Sequence, residues 1–305
     1  MQPILQFGED LTVLAGRVFG RKTHKFERYT LSCCAAGRRR DSWAHHRKVS
    51  LRINLLGSGS SGNAALVRTE RVRLLIDAGF SFRSLTKRLA AIGEDPQNLD
   101  AVLLSHEHSD HVSGLPILLK KTKIPVYLTE LAAEAMEWAE PRPAIETFRA
   151  GARLAIGDLE IDTFTVPHDA VDPVGFRFRS NGSKVAHVTD LGYMTESIKH
   201  AIRGCEMVVL ESNHDLEMLK VGPYPWFVKQ RVMSRVGHLS NQAVHDFLTS
   251  EFDRSTRILV LAHLSGNNNH PAIARMCADQ ALESVGAATR LMVASQDQPS
   301  EVFEF

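Results

Sequence analysis

Little in this chain of 305 residues points to a membrane or an oxidising compartment. No run approaches the roughly 20 apolar residues that cross a bilayer, so no membrane partner is expected. The first residues lack the apolar core and cleavage site of a secretory signal. Four cysteines (Cys33, Cys34, Cys205, Cys277) show neither zinc-finger nor paired-disulfide spacing, which fits a reducing, cytoplasmic setting. Cys205 and Cys277 read as small core residues. Net charge is nearly absent as well, at +1, but the balance hides an asymmetry. Residues 1–48 hold ten Lys or Arg against four Asp or Glu, leaving 26 basic against 31 acidic residues in 49–305. Residues 1–48 therefore read as a disordered basic N-terminal extension. Other readings are a transit peptide, a basic nucleic-acid arm, or a mis-assigned start with the body beginning at Val49.

Chemistry is concentrated instead in Ser105–Gly114. Three histidines and two carboxylates fall within the six residues from His106 to His111. They follow the apolar run 101–104, a short buried strand, so the cluster sits where a strand gives way to a loop. Side chains alternate along an extended backbone, which turns His106 and His108 to one side. Two imidazoles there can grip one cation, and Asp110 with His111 a second. Neutral imidazole with carboxylate suits zinc or another first-row divalent ion.

Strands alternate with helices along the rest of the body. Strands are expected over 51–56, 72–76 and 125–128. Helices are expected over 80–92, capped by Asp77, Ser81 or Ser84, over 115–121, and over 130–140, closed by Pro141 and Pro143. Residues 144–166 read as β-hairpins with Gly157-Asp158 as a turn. A further hairpin joins 174–179 to 184–188 across Asn181-Gly182, with His187 as a plain strand side chain. Strands follow over 207–210 and 258–261, and two closing strands over 289–305.

His106-x-His108-x-Asp110-His111 resembles the HxHxDH signature of the metallo-β-lactamase superfamily. That resemblance implies an α+β, four-layer αββα metallo-β-lactamase sandwich over 49–305, with the metals at one edge between two sheets. Carried over position by position, His106, His108 and His168 hold the first ion. Asp110, His111 and His263 hold the second, with Asp190 bridging the two. Asp77 orients a metal-bound histidine from behind. Glu211-Ser-Asn-His-Asp215, Tyr224-Pro-Trp226 and Gly237-His-Leu-Ser-Asn241 resemble the YycJ (WalJ/VicX) branch. Gly237-His238-x-Ser240 is also similar to a loop of the superfamily's tRNA 3′-processing endonucleases. By that likeness His238 is a proton donor paired with Glu211; the alternative reading is that it merely caps the helix from Ser240.

The resemblance implies two divalent ions, Zn2+ or Mn2+, a metal-bridged hydroxide as nucleophile, and Asp110, His238 and Glu211 as catalytic residues. A 5′→3′ exonuclease acting on DNA is the expected activity. The 73 positions from Asp190 to His263 leave no room for the large inserted domain of RNA-degrading relatives. Candidate substrate contacts are Ser58, Ser60, Ser61 and Asn63 in a glycine-rich loop, then Asn213, His214, Asn268 and Asn269. The acidic body must bind a polyanion through a local basic patch, for which Arg177, Arg179, Lys220, Lys229, Arg231 and Arg235 are candidates. Competing readings are a hydrolase of small thioesters, lactones or cyclic phosphates, and a non-catalytic regulatory module. A homo-oligomer stays open.

Overall fold

The computed structural model describes residues 51–305, so the readings of residues 1–48 fall outside the described part. Strands β1 (Arg52–Gly57), β2 (Ala64–Arg68), β3 (Arg73–Ile76), β4 (Ala101–Leu103), β5 (Val126–Thr129) and β6 (Ile145–Phe148) build a first sheet. β7 (Arg153–Ile156), β8 (Leu159–Thr165), β9 (Val174–Ser180), β10 (Ser183–Val188), β11 (Met207–Glu211), β12 (Ile258–Ala262) and β13 (Arg290–Val293) build a second. β14 (Phe303–Glu304) then returns to the edge of the first sheet, beside β1.

Each sheet is half antiparallel and half parallel. β1 to β3 pair antiparallel and β3 to β6 parallel. In the second sheet β7 to β10 pair antiparallel, and β10 to β13 parallel. Parallel strands need crossover connections, which helices supply on the outer faces. α1 (Phe82–Ala91), α2 (Ser109–Val112), α3 (Leu115–Thr122) and α4 (Glu130–Ala135) belong to the first sheet's connections. α5 (Glu196–Ile202), α6 (Leu216–Val221), α7 (Trp226–Val232), α8 (Asn241–Ser250) and α9 (Pro271–Ser284) belong to the second's.

The layering follows from side-chain alternation. Ile53 and Leu55 of β1, Leu74 and Ile76 of β3, and Met207 and Val209 of β11 meet in one core between the sheets. Phe176 and Phe178 of β9 join them and are fully buried. Each such ring or aliphatic chain contributes about 1.5–3 kcal/mol relative to exposure. The intervening residues face outward: Leu66, Leu75 and Val102 pack under α1 and α3, and Val208, Leu210 and Leu259 under α5, α8 and α9. Apolar side chains on both faces of a strand require covering on both faces, and the result is the expected αββα sandwich.

Two expectations differ in detail. The hairpin over Gly157-Asp158 forms between β7 and β8, but β6 lies parallel to β5 in the first sheet, so the chain changes sheets at residues 149–152. The helix from Glu130 ends at Ala135, because the Trp138 indole folds back and donates to the Ala133 carbonyl at 2.9 Å. A continuing helix would have offered that carbonyl to a backbone N–H. The two closing strands form as expected, β13 beside β12 and β14 beside β1. Ser81, not Ser84, caps α1, accepting from the Ser84 N–H. Among the described residues no helix is long and apolar enough to cross a membrane.

On the antiparallel half of the second sheet Asp162 is gripped by three arginines. Arg153 Nε lies 2.8 Å from Oδ1, Arg177 donates twice to Oδ2 at 2.7 and 2.9 Å, and Arg179 Nε lies 3.2 Å from Oδ2. Partial burial pushes the Asp162 pKa up, but the hydrogen bonds from Arg177 and Arg153 outweigh it and hold the carboxyl below its usual range. A depressed folded-state pKa stabilises the protein above the unfolded pKa, and that stability is lost as pH falls through the folded value. Asp162→Asn is therefore expected to lower stability by about 1–2 kcal/mol at pH 7. Chemical denaturation at pH 7 and below pH 3 checks this, because the difference from wild type should shrink in acid.

Candidate metal and catalytic centre

Five site residues lie at the carboxyl ends of parallel strands, where open α/β sheets bind ligands. Asp77 follows β3, His106 follows β4, Asp190 follows β10, Glu211 ends β11 and His263 follows β12. Asp77, Asp190 and His263 adopt left-handed backbone, with φ of 57°, 62° and 55°. A residue with a Cβ pays about 1–2 kcal/mol for this conformation. Three such residues at three strand ends mark the place where the chain accepts strain in order to aim side chains. Close packing supports the turn after β3: a Cβ on Gly79 would lie 1.7 Å from the Asp110 carbonyl oxygen. Only glycine lets this loop approach α2, whose first turn carries Asp110 and His111.

The candidate ligands converge in overlapping groups. His106, His108 and His168 form one and Asp110, His111 and His263 another, with ligand atoms in each lying within 4.8 Å of one another. Asp190 joins both sides, its Oδ2 at 3.3 Å from His111 Nε2 and its Oδ1 at 3.9 Å from His168 Nε2. Asp110 Oδ2 lies 3.2 Å from His263 Nε2 and 3.5 Å from His111 Nε2.

Supporting groups fix which ring nitrogens face the centre. His111 Nδ1 lies 2.8 Å from Asp77, His263 Nδ1 2.8 Å from Glu211, and His168 Nδ1 3.1 Å from the Gly237 carbonyl. Carboxylates and carbonyls only accept, so each Nδ1 carries the hydrogen and each Nε2 presents a lone pair. Ser105 adds a relay. Its hydroxyl donates to Asp77, at 2.9 Å from Oδ2, and accepts from His106 Nδ1 at 3.0 Å. His106 Nε2 and Asp190 Oδ2 are buried without a hydrogen-bond partner. His168 Nε2 and His108 Nδ1 stand 3.2 Å apart. Buried lone pairs facing one another are costly unless a cation lies between them. The donor set therefore fits divalent metal ions.

The electrostatics agree. Burial opposes protonating His111, yet Asp190 and Asp77 overcome it and lift its pKa to about 10. Burial would raise the Asp190 and Asp110 pKa values, but the surrounding imidazoles hold both carboxyls well below the ordinary range. His106 goes the other way, kept neutral by burial and by His111. The pocket draws positive charge.

Glu211 is fully buried, and each of its oxygens serves two donors. Oε1 accepts from His263 Nδ1 and His238 Nδ1, both at 2.8 Å. Oε2 accepts the backbone N–H of Leu191 and of Leu239, both at 3.0 Å. Burial raises the Glu211 pKa, but His238 more than compensates, leaving it at about 2. Burial also disfavours charge on His238, and Glu211 reverses that, so the His238 pKa lies above its ordinary value. His238 faces the cleft, a space of about 190 Å³ that Asp110, Asp190 and His263 also line.

The residues offered as substrate contacts separate in space. Ser60, Asn213 and Asn268 line the cleft. Ser61 is exposed, and its backbone N–H donates to Gln296. Ser58 and Asn63 work internally: the Ser58 hydroxyl accepts the His263 N–H at 2.9 Å and donates to Asn63 Oδ1. Asn269 spends its amide on the carbonyls of Ser212 and Asn213. His214 is buried, with neither ring nitrogen hydrogen-bonded, and burial lowers its pKa to about 4. Two supports carried no sequence role. Ser105 opens the histidine cluster and was legible as a polar residue ending a buried strand, whereas the Gly237 carbonyl is main chain and leaves no side-chain signal.

Fold and site together define a metal-dependent hydrolase, and the chain belongs to the metallo-β-lactamase superfamily: a beta-lactamase superfamily domain matches residues 72–263. More particularly, it is 39% identical to the exodeoxyribonuclease YycJ of Bacillus anthracis over 245 residues, covering 78% of this chain and 91% of that protein. The exodeoxyribonuclease WalJ of Streptococcus pneumoniae is 35% identical over 234 residues, covering 75% of this chain and 87% of that one. Among solved structures, the metallo-beta-lactamase fold protein YhfI from Bacillus subtilis superposes with a TM-score of 0.64 at 18% identity, covering 85% of this chain and all of that one.

Proposed function

We propose that this chain is a dinuclear-metal phosphodiesterase that degrades DNA from the 5′ end. The observation that carries the reading is the pairing of a complete His/Asp ligand set with the Glu211–His238 couple at the cleft. Relatives of 39% and 35% identity named as exodeoxyribonucleases support DNA as the substrate. His106, His108 and His168 would hold one ion and Asp110, His111 and His263 the other, with Asp190 between them. Two such ions, when bound, lower the pKa of water from about 15.7 towards about 7 and neutralise charge at the attacked phosphorus.

The chain's own groups supply the rest. Asp77, Ser105, Glu211 and the Gly237 carbonyl keep the Nε2 lone pairs of the ligand histidines turned inward. His238 gives its Nδ1 hydrogen to Glu211, so Nε2 is the atom left to protonate the departing 3′-oxygen. Ser60, Asn213 and Asn268, on the cleft wall, supply neutral donors to a phosphate.

The test is digestion of 5′-phosphorylated and 5′-hydroxyl single strands by the purified full chain with Mn2+ or Zn2+. A label at the 5′ end should be released first, as mononucleotide. Absence of DNA cleavage with either ion, alongside turnover of RNA, a thioester or a lactone, would overturn the reading.

A further inference from the structure

The aromatic side chains of this protein are few and, among the described residues, mostly packed away. Trp226 and Phe227 break that pattern: they are adjacent and 62% and 71% exposed. They are not isolated. Val221, Met233 and Val236 are also exposed, so five of the eleven large exposed hydrophobic side chains among the described residues fall between residues 221 and 236. A concentration of that kind marks a binding surface, whereas single exposed apolar residues mean little.

The segment is continuous with the cleft and firmly tied to it. Tyr224, two residues before Trp226, lines the cleft, as does Val232 at the far end of α7. The Tyr224 hydroxyl accepts from Asn267, and Lys229, buried beneath α7, donates to the Lys220 carbonyl at 2.7 Å. Arg231 pairs with Asp169, the neighbour of His168, while the Asp169 N–H donates to the Val236 carbonyl at 3.0 Å. The exposed rings thus stand on a scaffold pinned at both ends to the walls of the site. Arg235 adds a guanidinium 4.2 Å from the centre of the Tyr193 ring, three residues beyond Asp190.

Charge selects the occupant. At the surface, residues 216–236 carry Lys220, Arg231 and Arg235; Lys220 pairs with Glu217 and Arg231 with Asp169 of the neighbouring loop, while Lys229 is buried. The surface is net positive on a body that is net negative over residues 49–305. A second copy of this chain would set like charge against like across a two-fold axis. Exposed aromatic faces among cations suit unpaired nucleic-acid bases, which stack on rings while the backbone follows positive charge.

We infer that Trp226 and Phe227 form a base-stacking platform that holds single-stranded DNA as it enters the cleft. The inference rests on the nuclease reading for its substrate and adds a requirement for unpaired bases. A base paired within a duplex has no free face to offer, so the platform discriminates between single and double strands without reading sequence.

The test is a binding measurement on the full chain, separate from cleavage. Wild type should bind fluorescent oligothymidylate, and titration with unlabelled strand should quench its tryptophan emission. In W226A/F227A the dissociation constant should rise at least about tenfold, and in W226A the quenching should be lost. W226Y/F227W, which keeps two rings, should restore affinity, while I117A, at an exposed apolar position elsewhere, should change nothing. Affinity for a blunt duplex should move less than threefold. The single variants W226A and F227A decide the matter should the double variant not fold. Unchanged affinity, an equal loss for duplex and single strand, or no binding by wild type would each overturn the platform. So would a wild-type dimer that W226A/F227A turns into a monomer in sedimentation, because a second copy would then own the surface. Ring-dependent binding without DNA cleavage would leave the platform standing and sink the exonuclease reading. Cleavage with ring-independent binding would do the reverse.

Discussion

Asp190→Ala is expected to cut kcat/KM on DNA by about a thousandfold or more, a loss near 4 kcal/mol, and to leave the protein short of one metal ion. Asp190 is the carboxylate proposed to lie between the two ions, and it groups with His106 and His111 on one side and with Glu211, His238 and His263 on the other. Its two oxygens lie within 3.3–3.9 Å of nitrogens on His111, His263, His238 and His168. Loss of a group that merely supports a metal ligand costs about 10–100-fold; loss of the proposed shared ligand should exceed that, because both ions would lose a bond and their mutual repulsion would no longer be offset. Asp190→Asn keeps the shape and removes the charge. It should show nearly the same loss, which separates electrostatics from packing. Metal content by mass spectrometry and kcat/KM on a 5′-phosphorylated strand check both variants. Two tightly held ions at an undiminished rate would remove Asp190 from the centre. The backbone offers a further control. Asp190 sits at φ 62°, where glycine is unstrained. Asp190→Gly, stripped with chelator, should therefore be no less stable than stripped wild type, yet gain less stability when metal is restored.

The layers and the His106–His111 cluster were legible in the sequence because both leave marks at side-chain level, whereas His168, Asp190 and His263 were assigned by the family resemblance. Strands such as Leu74–Ile76 and Met207–Leu210 are apolar on both faces, and a strand apolar on both faces needs a covering layer on each side. The histidines and acids of the centre stand directly after such runs, where a polar residue has no structural excuse. What escaped is written in the backbone or in tertiary contacts. The sequence cannot show that β6 joins β5 instead of β7, because Ile145–Phe148 would suit either edge. It cannot show that Trp138 turns back to end α4 at Ala135. The carbonyl of Gly237, which fixes the His168 tautomer, has no residue-type signature. The exposure of Trp226 and Phe227 was hidden too, since an aromatic pair in a helical pattern ordinarily marks a buried face. Glu211 was expected to pair with His238; the structure gives its Oε1 to His263 as well.

That double service makes two variants diverge. His238→Ala should lower kcat on DNA by about 10²–10⁴-fold, the usual worth of a positioned acid, with metal content unchanged. Glu211→Gln should lower kcat and also weaken metal binding by about 10–100-fold. The reason is geometric. Two N–H donors meet each oxygen of Glu211, so a glutamine NH2 faces two donors whichever way the amide is turned. The conflict loosens His263 and His238 together, leaving buried donors unpaired at about 1–3 kcal/mol each. Leaving-group chemistry isolates the proton transfer. A p-nitrophenyl ester of thymidine 5′-phosphate departs without protonation, so His238→Ala should slow it less than tenfold. The pH profile carries the same signature with a definite sign. His238 must be protonated to act, and its pKa is raised by Glu211, so the wild-type rate on DNA should fall as pH climbs through that raised value. His238→Ala should lose this alkaline limb. If His238→Ala released metal, His238 would be a ligand and not an acid; if it slowed both leaving groups equally, its place would be in binding the phosphate.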